Sequence, residues 1–440
     1  MATSRVAVLG AVLAAAGGAA LAQCPPQRLE PPRPWYRAEY GRAVAMNDRH
    51  LIVGDPLDAS LCPIPQNCLN GAAHAYRLNP VSGVWELRQT LLPDDVGEYD
   101  AFGEGLALDG DRLIAGAAGS GGSREPGAAY VFDFDGDQWV ETGRIEPVEP
   151  VVTSAFASSV AVRASLVAIG EWVYRRAWLY EETPSGWEFR QKLTGGRTFG
   201  QALALTDEWL LVGAPEDDAH AFWGGAVYAY RRGPGASVEF REKLLAPEIL
   251  EGARFGDAIA VEGGVLAIGA PGWNTVHLFR LDGETWAWQE ALTYDTDALL
   301  GTAVAMAGDT LVASAGYATH VYRRNAGGWR HAARLTPEPD PGPFSGFGLS
   351  AGTSGAWAVV GAEDVTVGGV ESAGAAYVFD LDCLIACRVD LDGDGALTLF
   401  DFLTFFNLFA AGDLAADFDG DGELTLFDFL AFQDAFGAGC

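Results

Sequence analysis

Cationic side chains are scarce: 28 Lys and Arg stand against 59 Asp and Glu, a formal charge of −31 at pH 7. Phosphate binding needs clustered positive charge, so this balance argues against a nucleic-acid partner. Histidine is scarcer still, at six. No Gly-x-Ser-x-Gly elbow, His-Glu-x-x-His helix or phosphate-cradling glycine loop occurs. Beyond the first 22 residues no segment is apolar and long enough to span a bilayer. The expectation from these absences is a protein that is not an enzyme and does not insert in a membrane. Acidic pairs such as Glu216-Asp217-Asp218 and Asp94-Asp95 lie in Gly/Pro-rich loops and read as solvated charges.

Other residues are abundant. Hydrophobic content of 49% is too high for disorder, and 56 glycines with few helical periods point to an all-β body. Residues 1–22 read as a secretory signal: Arg5 gives the charge, Val6 to Ala16 the apolar core, and Ala20-Leu21-Ala22 the small-x-small cleavage site. Export to an extracellular or cell-surface location follows as an expectation.

A long repeat runs through the chain. Its clearest copy is Phe199-Gly200, then Trp209-Leu-Leu-Val-Gly-Ala-Pro215, then Gly225-Ala-Val-Tyr-Ala-Tyr230. Matching openings occur at Tyr40-Gly41, Phe102-Gly103, Phe156-Ala157, Phe255-Gly256, Leu300-Gly301 and Phe347-Gly348. Each unit holds three apolar runs and, in the first six, a fourth run such as Trp85-Glu-Leu-Arg-Gln-Thr-Leu91. Four short strands per repeat, seven times over, predict a mainly β fold, a seven-bladed β-propeller. The Phe-Gly and Gly-Ala-Pro pairs resemble FG-GAP repeats, found in integrin α heads and bacterial surface proteins. His74, His277 and His320 share one column of the repeat with Tyr130, Trp178, Tyr228 and Tyr377, and read as packing rather than metal ligands. Tryptophan recurs at the start of the fourth run (Trp85, Trp139, Trp187, Trp286, Trp329), again as packing. Asp133-Phe-Asp-Gly-Asp137 lacks the downstream acid of a calcium loop and reads as a turn.

The seventh repeat lacks its fourth strand. Gln27-Arg-Leu-Glu-Pro31 precedes Tyr40 by the interval at which Thr90-Leu-Leu-Pro93 precedes Phe102, so the first strand is expected to complete the last blade. Six cysteines in an exported chain suggest three disulfides, with 15 possible pairings. Ring closure favours Cys24 with Cys383. Cys62 and Cys68 bracket one loop, which leaves Cys387 with Cys440.

Near the C-terminus one twelve-residue pattern occurs twice, from Asp390 to Asp401 and from Asp417 to Asp428. Calcium loops take oxygen ligands from positions 1, 3, 5, 7, 9 and 12, with glycine at 6. Those positions hold Asp390, Asp392, Asp394, Ala396, Thr398 and Asp401, then Asp417, Asp419, Asp421, Glu423, Thr425 and Asp428, with Gly395 and Gly422 at the turns. Two calcium ions are expected. Aspartate at position 12, with no helix leading into the first loop, resembles a type I dockerin, and the terminal Gly439-Cys440 resembles its GC type. The resemblance implies a small α-helical module and a cohesin-like scaffold partner. Partner contacts in that family lie near loop positions 10 and 11, here Leu399-Phe400 and Leu426-Phe427, apolar where hydroxyl residues are common.

The domain expectation is a signal at 1–22, a propeller at 23–382 and a calcium module at 383–440. The function expected is secreted binding or adhesion through a calcium-dependent anchor. Two alternatives are a lectin or carbohydrate-active enzyme on the same anchor, and a calcium module that only staples its own chain.

Overall fold

A computed structural model describes residues 24–438 apart from 60–68, 94, 96–99, 120–125, 153–154, 250, 295–296, 326–327, 341, 343, 386–388, 393–396 and 419–423. The expected signal segment, Cys62, Cys68, Cys387, Cys440, Asp394, Gly395, Ala396, Asp419, Asp421, Gly422 and Glu423 lie outside the described residues.

Strand character follows burial. The second strand of the fourth repeat, Trp209–Ala214, is buried along its whole length, as are Leu166–Glu171 and Val265–Ala270. A strand covered on both faces carries a continuous apolar run instead of an alternating one. Fourth strands are only partly covered: Thr285–Thr293 buries Trp286 and Leu292 near its ends and leaves Trp288 between them exposed.

Among the described residues, 28 strands form seven four-stranded antiparallel sheets, one motif repeated seven times. Six sheets use four consecutive strands. The seventh consists of Phe347–Thr353, Trp357–Ala362, Ala375–Asp380 and, outermost, Gln27–Leu29. Arg28 pairs with Tyr377, so the first strand closes the last blade as expected.

Blades join through two contacts that explain the repeat's sequence. A Cβ on Gly213 would overlap the carbonyl of Gly256 in the next blade, and one on Gly361 would overlap that of Gly41. Gly41 and Gly256 also sit at φ of +90 and +94, where a side chain is strained. The aromatic before each of them, Tyr40 or Phe255, is fully buried. In the third repeat Ala157 holds this backbone at φ 68, the one alanine where the motif has glycine.

The second contact is a glutamine near the end of a fourth strand. Gln89 accepts from the Trp139 N–H at 2.8 Å and donates to its carbonyl at 2.9 Å. Gln191 does the same for Val238, at 2.9 and 3.1 Å. Each thereby satisfies the backbone that starts the next blade's outer strand, which would otherwise face an unpaired edge. Gln27 serves Trp85 in the same way, at 2.8 and 2.7 Å. By this measure too, the first strand acts as blade 7's fourth. Cys24 and Cys383 are both disulfide-bonded, as the expected Cys24–Cys383 bridge requires.

Two compact units divide the chain: Pro25–Ile385, and a second that contains Ala386–Cys440. A short helix, α1 (Leu381–Ile385), follows blade 7 directly and falls in the propeller unit, where the Leu381 N–H donates to the Ala356 carbonyl at 2.8 Å. It corrects the expectation that no helix stands ahead of the first acidic loop, and blade 7 holds its first residue.

The second unit holds α2 (Leu399–Ala411) and α3 (Leu426–Ala438). Their shared core is aromatic. Phe405 and Phe432, equivalent residues of the two repeats, are fully buried and stack at 4.3 Å with 10° between planes. Phe418 packs edge-on against both, and Phe402 meets Phe432 at 5.0 Å. Burial of such rings contributes about 2 kcal/mol each. That is how so small a unit assembles a core.

Candidate functional site

In the second unit each repeated loop runs straight into a helix. Thr398 caps α2 by accepting from the Phe400 N–H at 3.1 Å, and Thr425 does the same for Phe427 at 3.1 Å. Asp401, fully buried, closes the first loop on itself. One of its oxygens accepts from the Leu391 and Asp392 N–H groups at 2.7 and 3.2 Å; the other accepts from Thr398 N–H at 2.8 Å. Asp428 repeats this with Phe418 and Thr425, at 2.8 and 2.6 Å. The acid at position 12 therefore ties loop positions 2 and 9 together in both copies.

Around Asp401 the first loop gathers charge. Oxygens of Asp390, Asp392 and Asp401 lie within 4.8 Å of one another. Calcium–oxygen bonds are about 2.4 Å, so two ligands on opposite sides of one ion stand about 4.8 Å apart. The spacing and the all-oxygen donor set fit a calcium ion. Three carboxylates this close repel one another without a cation. In the second loop, Asp417, Thr425 and Asp428 are the expected ligands within the described residues.

Outside the aromatic core, the helix starts are bare. Leu399 and Phe400 are 72% and 64% exposed, and Leu426 and Phe427 are 67% and 68% exposed. Leu403 and Leu430 extend the two patches. Identical residues at equivalent positions, left open in both copies, form two like apolar faces.

In the propeller the histidine column packs, as expected from the sequence. His74 meets Tyr40 at 5.4 Å and His277 meets Phe255 at 5.4 Å, the contacts that Tyr130 and Tyr228 make with Phe102 and Phe199. His320 goes further. It bonds His331 at 3.0 Å through Nδ1 and Asp297 at 3.0 Å through Nε2, and Arg334 pairs with the same Asp297 at 2.7 Å. No short-range signal announces this chain, because a bulge at Val321/Tyr322 sets the position of His331. Asp133 pairs with Arg112, and the Asp135 side chain accepts from Asp137 and Gln138, so that segment is a turn.

Asp217 corrects the solvated-acid expectation. It is 3% exposed, accepts from the Tyr228 hydroxyl at 2.7 Å, and pairs with Lys243 at 2.8 Å. Lys243 and Tyr228 hold its carboxyl below the usual range, against the upward push of burial. The sequence hides this network because its three members come from three separate segments.

Burial holds His74, His277 and His320 down to about 4, from an ordinary 6.5. An unfolded chain protonates them near 6.5, the folded one only near 4. Stability contributed by the neutral rings is thus complete above pH 6.5 and falls as pH drops towards 4, by about 1 kcal/mol per pH unit per ring. His277→Tyr installs the residue other blades use. It should flatten the decline in melting temperature between pH 7 and 4.5; an unchanged slope would show that His277 does not contribute.

Among the described residues, no helix is long and apolar enough to cross a membrane. The family model for the FG-GAP repeat matches residues 85–132. None of the curated proteins matches the chain. Solved structures do. A protein from Lactobacillus plantarum is similar at 15% identity and a TM-score of 0.51, over 72% of this chain and 89% of that one. A chain of the mitotic checkpoint complex is similar at 11% and 0.52, over 86% and 99%. A putative 6-phosphogluconolactonase from Bacteroides uniformis is similar at 11% and 0.52, over 72% and 90%. At such identities the likeness concerns the fold alone. The chain is a seven-bladed propeller that carries an FG-GAP repeat, an architecture suggesting a binding protein.

Proposed function

We propose that this is an exported, non-enzymatic binding protein that a calcium-ordered C-terminal unit anchors to an extracellular or cell-surface scaffold. The single observation behind this reading is the duplicated apolar face, Leu399-Phe400 and Leu426-Phe427, each opening a helix at the end of an acidic loop. Asp390, Asp392, Asp394, Ala396, Thr398 and Asp401 would hold one calcium ion; Asp417, Asp419, Asp421, Glu423, Thr425 and Asp428 would hold the other. Neutralised in this way, each loop can keep its helix start in place. Large bare leucine and phenylalanine side chains need a partner with an apolar groove, so a cohesin-like scaffold that accepts hydroxyl residues would not suffice unchanged. The disulfide and the FG-GAP repeat suit an oxidising, extracellular setting.

Pull-down from the envelope of the producing organism tests the anchor. The full chain should capture one scaffold protein in calcium and release it in EDTA. Joint replacement of Phe400 and Phe427 by Ser should abolish capture while leaving helix content unchanged. Capture that persists in EDTA, or no capture at all, refutes the anchor.

A further inference from the structure

One face of the propeller carries more aromatic surface than packing requires. In a blade, the turn from second to third strand and the link from the fourth strand to the next blade emerge on the same side of the sheet. In blades 3, 4, 5 and 6 that turn presents Trp172 and Tyr174, Phe222 and Trp223, Trp273, and Tyr317. These side chains are between 38% and 57% exposed. Single exposed rings are ordinary, but the same turn in four consecutive blades makes an arc.

Four of the six rings are held by contacts. Trp273 donates its indole N–H to the Glu251 carbonyl at 2.8 Å. Phe222 and Trp223 stack at 5.0 Å with 16° between planes, and the Asp218 carboxylate accepts from the Trp223 N–H at 3.0 Å. Arg176 lies 5.2 Å from the centre of Tyr174, and Arg197 lies 6.0 Å from that of Trp223. Tyr174, Phe222, Trp223 and Trp273 are thus fixed by their neighbours while part of each surface stays open, so these four lose little conformational entropy on binding.

At Tyr317 the arc enters a cleft of about 750 Å³ on the same face, which Arg334, Thr336, Glu338, Asp340 and Ser345 also line. The bidentate pair with Asp297, at 2.7 and 3.0 Å, fixes Arg334 there. The cleft therefore offers a fixed guanidinium, hydroxyls and carboxylates around an aromatic wall, groups suited to ligand hydroxyls.

We propose that arc and cleft bind an extended, uncharged polysaccharide, its pyranose faces stacked on the turn aromatics and a terminal portion hydrogen-bonded in the cleft. Three features select this occupant. Planar rings in series match a polymer of flat, C–H-lined units. The carboxylates beside them accept from hydroxyl groups. A chain of net charge −31 repels polyanionic glycans. This inference rests on reading the propeller as a binding module, and it is independent of what the C-terminal unit docks to.

Native affinity electrophoresis of the full chain tests it, in gels containing hydroxyethylcellulose, xyloglucan, galactomannan or dextran, with alginate as the polyanion. At least one neutral polymer should retard the protein, with or without EDTA, and alginate should not. Trp273→Ala and Tyr317→Ala should each weaken retardation by about tenfold, as loss of one aromatic contact implies. Trp288→Ala, which removes an exposed ring from an outer strand, should leave it unchanged. Absence of retardation by every neutral polymer, equal retardation by alginate, or arc variants that match the wild type would each overturn the proposal. A protein ligand that needs the same rings would overturn it too. Retardation lost while EDTA-sensitive envelope capture persists condemns the glycan site alone; the reverse condemns the anchor alone.

Discussion

Deletion of residues 24–31 is expected to lower the stability of the propeller by about 5 kcal/mol, with blade 7 opening first. Four losses combine. Gln27–Leu29 is the outer strand of blade 7, and its removal strips the ladder that pairs Gln27, Arg28 and Leu29 with Val378, Tyr377 and Ala376. Leu29 leaves a core that also contains Tyr40, Trp85 and Val359, a burial worth about 2 kcal/mol. Gln27 leaves the Trp85 backbone with two unmet hydrogen bonds, at about 1 kcal/mol each, and Cys24 takes a disulfide with it. Thermal melting and hydrogen exchange resolved by blade would measure the effect. An unchanged melting temperature, or protection lost evenly around the ring, would contradict closure by the first strand. Gln27→Ala alone should reproduce the smaller, hydrogen-bond part at the blade 7–blade 1 boundary.

The second large effect concerns Asp401. Its replacement by alanine should unfold the first loop and fray α2, at about 3–5 kcal/mol, because three backbone N–H groups lose the carboxylate that collects them. Asp401→Asn keeps the shape and one acceptor oxygen but not the charge, and should fall between wild type and alanine. Asp428→Ala should act likewise on α3. Far-UV circular dichroism, with and without EDTA, reads both. If calcium orders the loops, EDTA should remove helix signal from the wild type and little more from Asp401→Ala. Helix content that ignores both the substitution and the chelator would refute the role given to this acid.

Much of the fold was legible because glycine and aromatic pairs have positional meaning. Phe255-Gly256 and the glycine of Trp209-Leu-Leu-Val-Gly-Ala-Pro215 were recognisable as repeat elements, and the close approach of Gly213 to the Gly256 carbonyl explains why these positions favour small residues. The closing strand was legible from intervals alone. A sharper sign stood beside it: Gln27, Gln89 and Gln191 each lie two residues before a leucine, and each ties its blade to the next. The polar networks were not legible. Asp217, Tyr228 and Lys243 belong to a loop and two strands, and only the sheet register brings them together. Asp297 and His331 reach His320 from two sides, one through a bulge. The second unit shows the same division. Periodicity marked its twice-repeated acidic positions, whereas the sorting of its phenylalanines into buried Phe405 and exposed Phe400 follows from helix geometry.

Closure by the first strand also sets an order on biosynthesis. Arg28 meets a partner, Tyr377, that is 349 positions away (377 − 28), so the earliest strand to leave a ribosome or a translocation channel waits unpaired for almost the whole propeller. Contacts of such span form late, after the entropy of a very long loop has been overcome. Blades 2 to 6 can build on their neighbours as they emerge, but blade 7 cannot finish until both termini of the ring have been delivered to the same compartment. Assembly is therefore timed by the last repeat, and the incomplete ring is an open-edged species that the cell must shelter from aggregation.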